Sequence, residues 1–207
     1  MEITQKGTAH LIENLALSAG SRYTHSGKPD RAKTYLNLLK NKYPESQYVK
    51  DGTVDRYLKG LAIKIGNTAP EFSVTTMNGE SFSLSGCKGK FVMIDFWGTW
   101  CGPCRGEVPN FKKLYTTIPR DSLLVIGLAE DDSTTLAPFI AEQAIPYPNA
   151  LATKELLDAY GVNRFPTTFL IGPDGTIIAK DLRGESVVEQ VREKMKESHS
   201  GAKGIES

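Results

Sequence analysis

The sequence predicts an α/β fold: a sheet layered with helices, entered through a β-hairpin and preceded by a small helical segment. Three observations predict it. Between Phe72 and Lys196, runs of strand type alternate with amphipathic runs of helical period. Met77-Asn78-Gly79 lies between two β-prone runs, and Asn-Gly in that setting is the strongest short hairpin signal. From about His10 to Leu61 the apolar residues recur at helical spacing, in a block of separate composition. The expected organisation is a helical N-terminal segment at 1–64, an α/β domain at 65–197 and a disordered polar tail at 198–207.

Composition narrows the function classes. The 207 residues suffice for one sizeable domain and a smaller segment. Hydrophobic content of 40% and charged content of 24% are ordinary for a soluble globular protein. A net charge of +1 gives no reason to expect nucleic acid or an anionic membrane surface as a partner. No apolar run approaches the roughly 18 residues of a membrane span.

In the N-terminal block, Leu11–Leu17 and Asp30–Tyr43 read as two helices separated by Ser26-Gly27-Lys28-Pro29, with Pro44 ending the second. A third helix is expected from Gln47 or Asp51 to Ile63. The pattern resembles the helical hairpins of solenoid repeats, but a single unit is too few to form a solenoid. Two readings stay open: a partner-docking or dimerising segment, or an extension whose apolar faces are buried locally or against a longer upstream region.

In the main domain, strands are expected at Phe72–Thr76 and Glu80–Leu84, followed by a loop at Ser85–Lys90. Phe91–Phe96 reads as a buried strand. A helix begins near Cys101, because Pro103 suits a first helical turn where its missing N–H is no loss. Leu123–Ala129 reads as a strand, Thr134–Ala144 as a helix, Asn149–Leu151 as a short strand or loop, and Lys154–Tyr160 as a helix ended by Gly161. A strand opens after Pro166, and Pro173-Asp174-Gly175 turns the chain into a strand at Thr176–Lys180. Ser186–Lys196 closes the domain as an amphipathic helix.

Chemistry concentrates in Cys101-Gly102-Pro103-Cys104. A thiolate at a helix N-terminus is stabilised by unpaired N–H groups and the macrodipole, which lowers its pKa from about 8.5 to roughly 3.5–7.5. Cys104 lies one turn on, within reach of Cys101 for a disulfide. The first sulfur attacks a substrate disulfide and the second resolves the mixed disulfide. That chemistry needs no metal and no organic cofactor, only the redox-active Cys101–Cys104 pair. A zinc half-site would need two further ligands, and Cys87, His10, His25 and His199 lack ligand-like spacing.

Phe96-Trp97-Gly98-Thr99-Trp100-Cys101-Gly102-Pro103-Cys104 resembles the active site of thioredoxin-like proteins, and above all the TlpA/ResA-like thiol–disulfide oxidoreductases of bacterial envelopes. Gly66-Asn67-Thr68-Ala69-Pro70-Glu71-Phe72 resembles the entry to TlpA-like and peroxiredoxin-like (AhpC/TSA-related) domains. The resemblance implies a thioredoxin-like α/β/α sandwich with an extra N-terminal β-hairpin. It implies a buried acid at Asp95, six residues before Cys101, and a second acid at Glu107, three residues after Cys104. Which of the two moves the proton stays open, and for Glu107 a solvated helix face is the competing reading. Pro109 resembles the proline that kinks the corresponding helix. Pro166 resembles the cis-proline that faces the dithiol, the alternative being an ordinary trans proline at a strand start. Trp100, Gly102, Pro103, Phe165, Pro166 and Thr167 are the expected substrate contacts. Cys87 stands where the family has an apolar residue, and reads either as a buried inert thiol or as a third redox cysteine.

The expected function is a thiol–disulfide oxidoreductase acting as a protein disulfide reductase, since Gly102-Pro103 matches reducing thioredoxins. Its partners are a protein or small-molecule disulfide substrate and an upstream dithiol donor, with no nucleic acid. A thiol peroxidase would need the pattern Pro-x-x-x-Thr-x-x-Cys, and Ile94 and Gly98 break it. A binding module whose helical segment recruits a partner is the non-enzymatic alternative. The first residues lack a basic stretch followed by an apolar core, so taken literally the chain is cytoplasmic. The resemblance instead implies the periplasm or cell envelope.

Overall fold

The computed structural model describes residues 2–25 and 28–202. The chain divides into two compact units, Met1–Ile63 with Leu157–Asn163, and Lys64–Leu156 with Arg164–Ser207.

The first unit is helical: α1 (Glu2–His25), α2 (Pro29–Lys42), α3 (Gln47–Lys50) and α4 (Thr53–Ala62). Pro29 opens α2 in the position where a missing N–H is harmless. Ala16 of α1, Ala32, Leu36 and Leu39 of α2, and Val54 and Leu61 of α4 bury their side chains together. Of the two starts expected for the third helix, the one at Asp51 agrees with α4, while the stretch from Gln47 forms the separate short helix α3. Gly52 takes the left-handed conformation (φ 81°), and the Asp51 carboxylate accepts the Thr53 N–H at 2.9 Å, so the chain restarts at Thr53. Arg56 and Asp158 form an ion pair at 2.7 Å within this unit. Gly161, at φ 61°, packs its α-carbon against Gly60: a β-carbon there would lie 2.1 Å from Gly60 Cα and 2.2 Å from Gly60 N.

The second unit opens with the hairpin β1 (Ser73–Thr75) and β2 (Ser81–Ser83), antiparallel with Ser73 opposite Ser83. Gly79 at φ 86° makes the turn. A five-stranded sheet follows in the order β5-β4-β3-β6-β7, from β3 (Phe91–Trp97), β4 (Leu123–Ala129), β5 (Asn149–Leu151), β6 (Thr167–Ile171) and β7 (Ile177–Lys180). β3 runs parallel to β4 and antiparallel to β6. The helices are α5 (Gly102–Thr117), α6 (Ser133–Glu142), α7 (Lys154–Ala159), whose residues from Leu157 on belong to the first unit, and α8 (Val187–Ala202). This is the α/β architecture that the sequence predicts.

Successive strand residues point to opposite faces of a sheet. Phe91, Met93 and Trp97 of β3 therefore share one face, and they cluster with Val108, Phe111 and Leu114 of α5 and with Val187, Val188 and Val191 of α8. Two helix ends differ from expectation. α6 stops at Glu142, and Ala144 takes a positive φ of 46°. α8 continues to Ala202, into the stretch expected to be a disordered tail, because no proline interrupts it. Residues 203–207 lie outside the described residues.

Gly161→Ala tests the close approach to Gly60. The positive φ and the backbone overlap should lower unfolding free energy by about 2–4 kcal/mol. Urea denaturation reads this, and a change within about 0.5 kcal/mol, typical of a free surface position, would contradict the packing.

Candidate active site

β3 ends at Trp97, and Gly98-Thr99-Trp100 carries the chain to α5. Cys101 is the N-cap of α5, in extended conformation, with Pro103 in the first turn. Its Sγ accepts the backbone N–H of Cys104 at 3.2 Å. The two cysteines form a disulfide. Cys101 is 6% exposed and Cys104 2%, while Gly102 and Pro103 between them are exposed. A reduced Cys101 sulfur here faces the free N–H groups of the first turn, the environment that favours a thiolate.

Thr167, which opens β6, lies opposite Phe96. That register brings the Phe165–Pro166 bond, which is cis, to the end of β3. The Phe165 ring stands edge-on to Trp100, with ring centroids 5.4 Å apart. Trp100 is 60% exposed, yet its indole N–H donates to Glu130 O at 2.8 Å. The Thr167 hydroxyl donates to Arg164 O at 2.9 Å. Trp100 and Phe165 thus form one group, and Phe165 packs against the cluster that holds Cys101 and Cys104.

Asp95 shares its face of β3 with Met93 and Trp97, the face covered by α5. It is 3% exposed, and its Oδ1 has no hydrogen-bond partner among the described residues. Burial first, and the charge of Glu107 second, push the Asp95 carboxyl up from 3.8 to about 8. Glu107 is occupied elsewhere: its Oε2 accepts from Asn110 Nδ2 at 2.9 Å and from Gly184 N at 2.8 Å. It therefore stitches α5 to the loop before α8 and reaches Asp95 through its charge. Tyr147 is also buried, and burial, with the Asp95 charge, raises its phenol well above the ordinary value.

Cys87 does not join the dithiol. It lies buried and free in the short 3₁₀ turn Ser85–Cys87, with its Sγ 3.2 Å from Ser83 O as donor. Desolvation raises its pKa. Arg105 is exposed. Among the described residues no three His, Cys, Asp or Glu side chains are grouped to hold a metal.

Sequence reasoning missed several supports. Trp97 Nε1 donates to Asn149 Oδ1 at 3.0 Å, and Asn149 Nδ2 donates to Tyr147 O at 2.9 Å. This bond crosses Gly127, where a β-carbon would lie 2.1 Å from Asn149 Oδ1. A glycine inside a strand is a recognised sign of close approach, so Gly127 was the available signal. Thr99 and Asp131, bonded to each other across 32 residues, left no local signal.

A sequence model of the AhpC/TSA family matches residues 65–180. The thiol-disulfide oxidoreductase ResA of Bacillus thuringiensis subsp. konkukian is 35% identical over 142 residues, 68% of this chain and 82% of that protein. ResA of Bacillus subtilis is 35% identical over 119 residues, 56% of this chain and 66% of that protein. Among solved structures, the thioredoxin domain of a thiol-disulfide oxidoreductase from Bacteroides vulgatus superimposes with a TM-score of 0.59 at 30% identity, covering 63% of this chain and 96% of that one. A thiol:disulfide interchange protein from Bacteroides sp. gives a TM-score of 0.59 at 30% identity, covering 64% and 90%.

The raised Asp95 carboxyl makes stability depend on pH with a defined sign. Between pH 4 and 8 the folded protein holds a proton on Asp95 that the unfolded chain has released, so stability falls as pH rises through that window and levels off above it. The span from 3.8 to about 8 corresponds to roughly 5–6 kcal/mol at about 1.4 kcal/mol per pH unit. In the oxidised protein Asp95→Asn should remove this slope, so that the variant gains on the wild type progressively from pH 4 to 8. Parallel curves of unfolding free energy against pH for the two proteins would contradict the burial of an ionisable Asp95.

Proposed function

The chain belongs to the AhpC/TSA family, as a TlpA/ResA-like member of the thioredoxin superfamily, and is a thiol–disulfide oxidoreductase; from that premise we propose that it works as a protein disulfide reductase with Cys101 as nucleophile and Cys104 as resolving thiol. The observation that carries this reading is the placement of Cys101 as the N-cap of α5, its sulfur on the Cys104 N–H. Between the two cysteines, Cys101 is also the more exposed.

The reaction runs in two exchanges. The Cys101 thiolate attacks one sulfur of the substrate disulfide, forming a mixed disulfide and releasing the first substrate thiolate. Cys104, once deprotonated, attacks Cys101 Sγ, forming the Cys101–Cys104 disulfide and releasing the second thiolate. The substrate gains two electrons and the protein loses two, and an upstream dithiol donor returns them. Trp100, Gly102, Pro103, Phe165, Pro166 and Thr167 border the attacked disulfide. The ionised form of Asp95 takes the Cys104 proton, and a carboxyl with a pKa of about 8 populates that form increasingly as pH rises towards that value. Glu107 tunes that carboxyl by its charge and holds Gly184. The resemblance to envelope oxidoreductases supports a periplasmic or envelope location, and no helix among the described residues is long and apolar enough to cross a membrane.

Cys104→Ser should trap a mixed disulfide with insulin through Cys101, seen as a reducible complex by mass spectrometry. Trapping in Cys101→Ser instead would reverse the assignment. A reduction potential near thioredoxin's roughly −270 mV accords with a reductase, whereas one near DsbA's roughly −120 mV makes the protein an oxidant.

The two acids separate in the pH profile of insulin reduction. Asp95→Asn should flatten the profile between pH 6 and 9. Glu107→Gln should keep its shape but move it towards lower pH, since removing a nearby negative charge eases ionisation of Asp95. Identical profiles for both variants and the wild type would remove carboxylates from the proton path.

A further inference from the structure

Four hydrogen bonds join Trp97–Trp100 to the two residues that follow β4. Glu130 N donates to Trp97 O at 2.9 Å. Thr99 donates twice to one carboxylate, from N to Asp131 Oδ2 at 2.7 Å and from Oγ1 to Asp131 Oδ1 at 2.8 Å. Trp100 Nε1 donates to Glu130 O at 2.8 Å. Cys101 N then closes the turn on Gly98 O at 3.1 Å.

The pairing of Thr99 with Asp131 is specific in kind. Two donors on one residue meet two acceptors on one carboxylate, a bidentate and charge-assisted arrangement that fixes direction as well as distance. Thr99 is buried and Asp131 half-buried, so water competes less for these bonds than at an open surface. Thr99 sits two residues before Cys101 and one before Trp100. Fixing its backbone therefore fixes the nucleophile's approach and the base of the Trp100 side chain together. An exposed tryptophan would otherwise rotate; this one is held at its base by Thr99 and at its indole N–H by Glu130, and meets Phe165 edge-on.

We propose that Asp131 is a positioning residue which, through Thr99, holds Trp100 and Cys101 in the relation that a docked protein segment requires, and so sets the preference for protein disulfides over small ones. The inference rests on the disulfide-reductase reading. Its physical basis is that a protein disulfide arrives on a chain that must lie against Trp100 and Phe165 while its sulfur meets Cys101 in line. Both contacts must be satisfied at once. A small disulfide needs only to reach the Cys101 sulfur, and a looser loop still allows that. Asp131 touches neither substrate nor sulfur in this account and acts only through Thr99.

The test compares two substrates, insulin and the small disulfide 5,5′-dithiobis(2-nitrobenzoate), across Asp131→Ala, Asp131→Asn and Thr99→Val. Asp131→Ala should lower kcat/KM for insulin about 10- to 100-fold, chiefly through KM, the scale expected of a displacement near 1 Å. The rate with the small disulfide should stay within about threefold, because the sulfur chemistry is untouched. Asp131→Asn keeps an acceptor for the Thr99 N–H and should recover most insulin activity. Thr99→Val keeps the backbone bond and loses the hydroxyl one, and should fall between. Should Asp131→Ala not fold, Thr99→Val against Thr99→Ser carries the same comparison. Equal losses on both substrates, or unchanged insulin kinetics in the variants, would overturn the proposal. A wild-type protein that reduces neither disulfide would overturn the reductase reading itself, and the proposal with it.

Discussion

The site depends on a single strand held on both of its edges. β3 pairs with β4 along all seven residues and with β6 along five, and every one of its side chains is buried. Its C-terminal end is consequently held by neighbours on both sides. Two registers then assemble the site. Trp97 opposite Ala129 puts Glu130 and Asp131 beside Gly98–Trp100, and Phe96 opposite Thr167 puts Phe165 and Pro166 there as well. A slip of one residue in either pairing would move its partners by roughly 3.3 Å and turn every side chain to the other face. Placing Cys101 at a helix start and confronting it with two loops from distant sequence are thus results of the same ladder of hydrogen bonds.

The same burial creates the site's electrostatic character. Asp95 cannot escape its face of β3, because the alternation that points Met93 and Trp97 under α5 points Asp95 there too. Its neighbours across the ladder offer it little. Gly127 has no side chain, and Thr168 spends its hydroxyl on Leu182 O at 2.9 Å. Burial, together with the charge of Glu107, pushes the Asp95 carboxyl up to about 8, so it holds its proton at pH values where surface carboxylates are ionised. Apolar residues of similar volume would be more comfortable in this core. The proton-transfer role proposed for Asp95 rests on this unfavourable placement, on the face of β3 that α5 covers.

Much of this was legible in the sequence, and the boundary of legibility is physical. The buried strand Phe91–Phe96, the Asn-Gly hairpin and the helix opening at Pro103 are local signals, carried by periodicity, turn chemistry and backbone restriction, and each element is present where those signals point. The resemblance to thioredoxin-like proteins implies a buried acid at Asp95, and Asp95 is 3% exposed. The start of the third helix stays open between Gln47 and Asp51 in the sequence because the apolar spacing carries on across Asp51-Gly52, and the left-handed φ of Gly52 decides it. Thr99 with Asp131, Trp97 with Asn149, and Glu107 with Gly184 were beyond reach for a different reason. Each is a polar bond across a large sequence separation, the first two fixed by sheet register and the third by the packing of α5 on the loop before α8, and such a polar residue looks the same in the sequence with or without its partner. Only Gly127, a glycine inside a strand, left a mark of the crossing above it.

The two kinds of cysteine show how far environment, rather than residue type, decides the chemistry. Cys87 and Cys101 have the same burial, each 6% exposed. Cys87 has its sulfur against a carbonyl oxygen of Ser83, which accepts a thiol proton and repels a thiolate, and burial raises its pKa further. Cys101 has its sulfur against a backbone N–H, that of Cys104, at the positive end of α5. The first environment stabilises S–H and the second stabilises S⁻. Since the thiolate is the attacking species in disulfide exchange, equal burial is compatible with opposite environments for attack. The nucleophilic role proposed for Cys101 thus rests on which way the local dipoles point at its sulfur, and that direction is set by the turn that links β3 to α5.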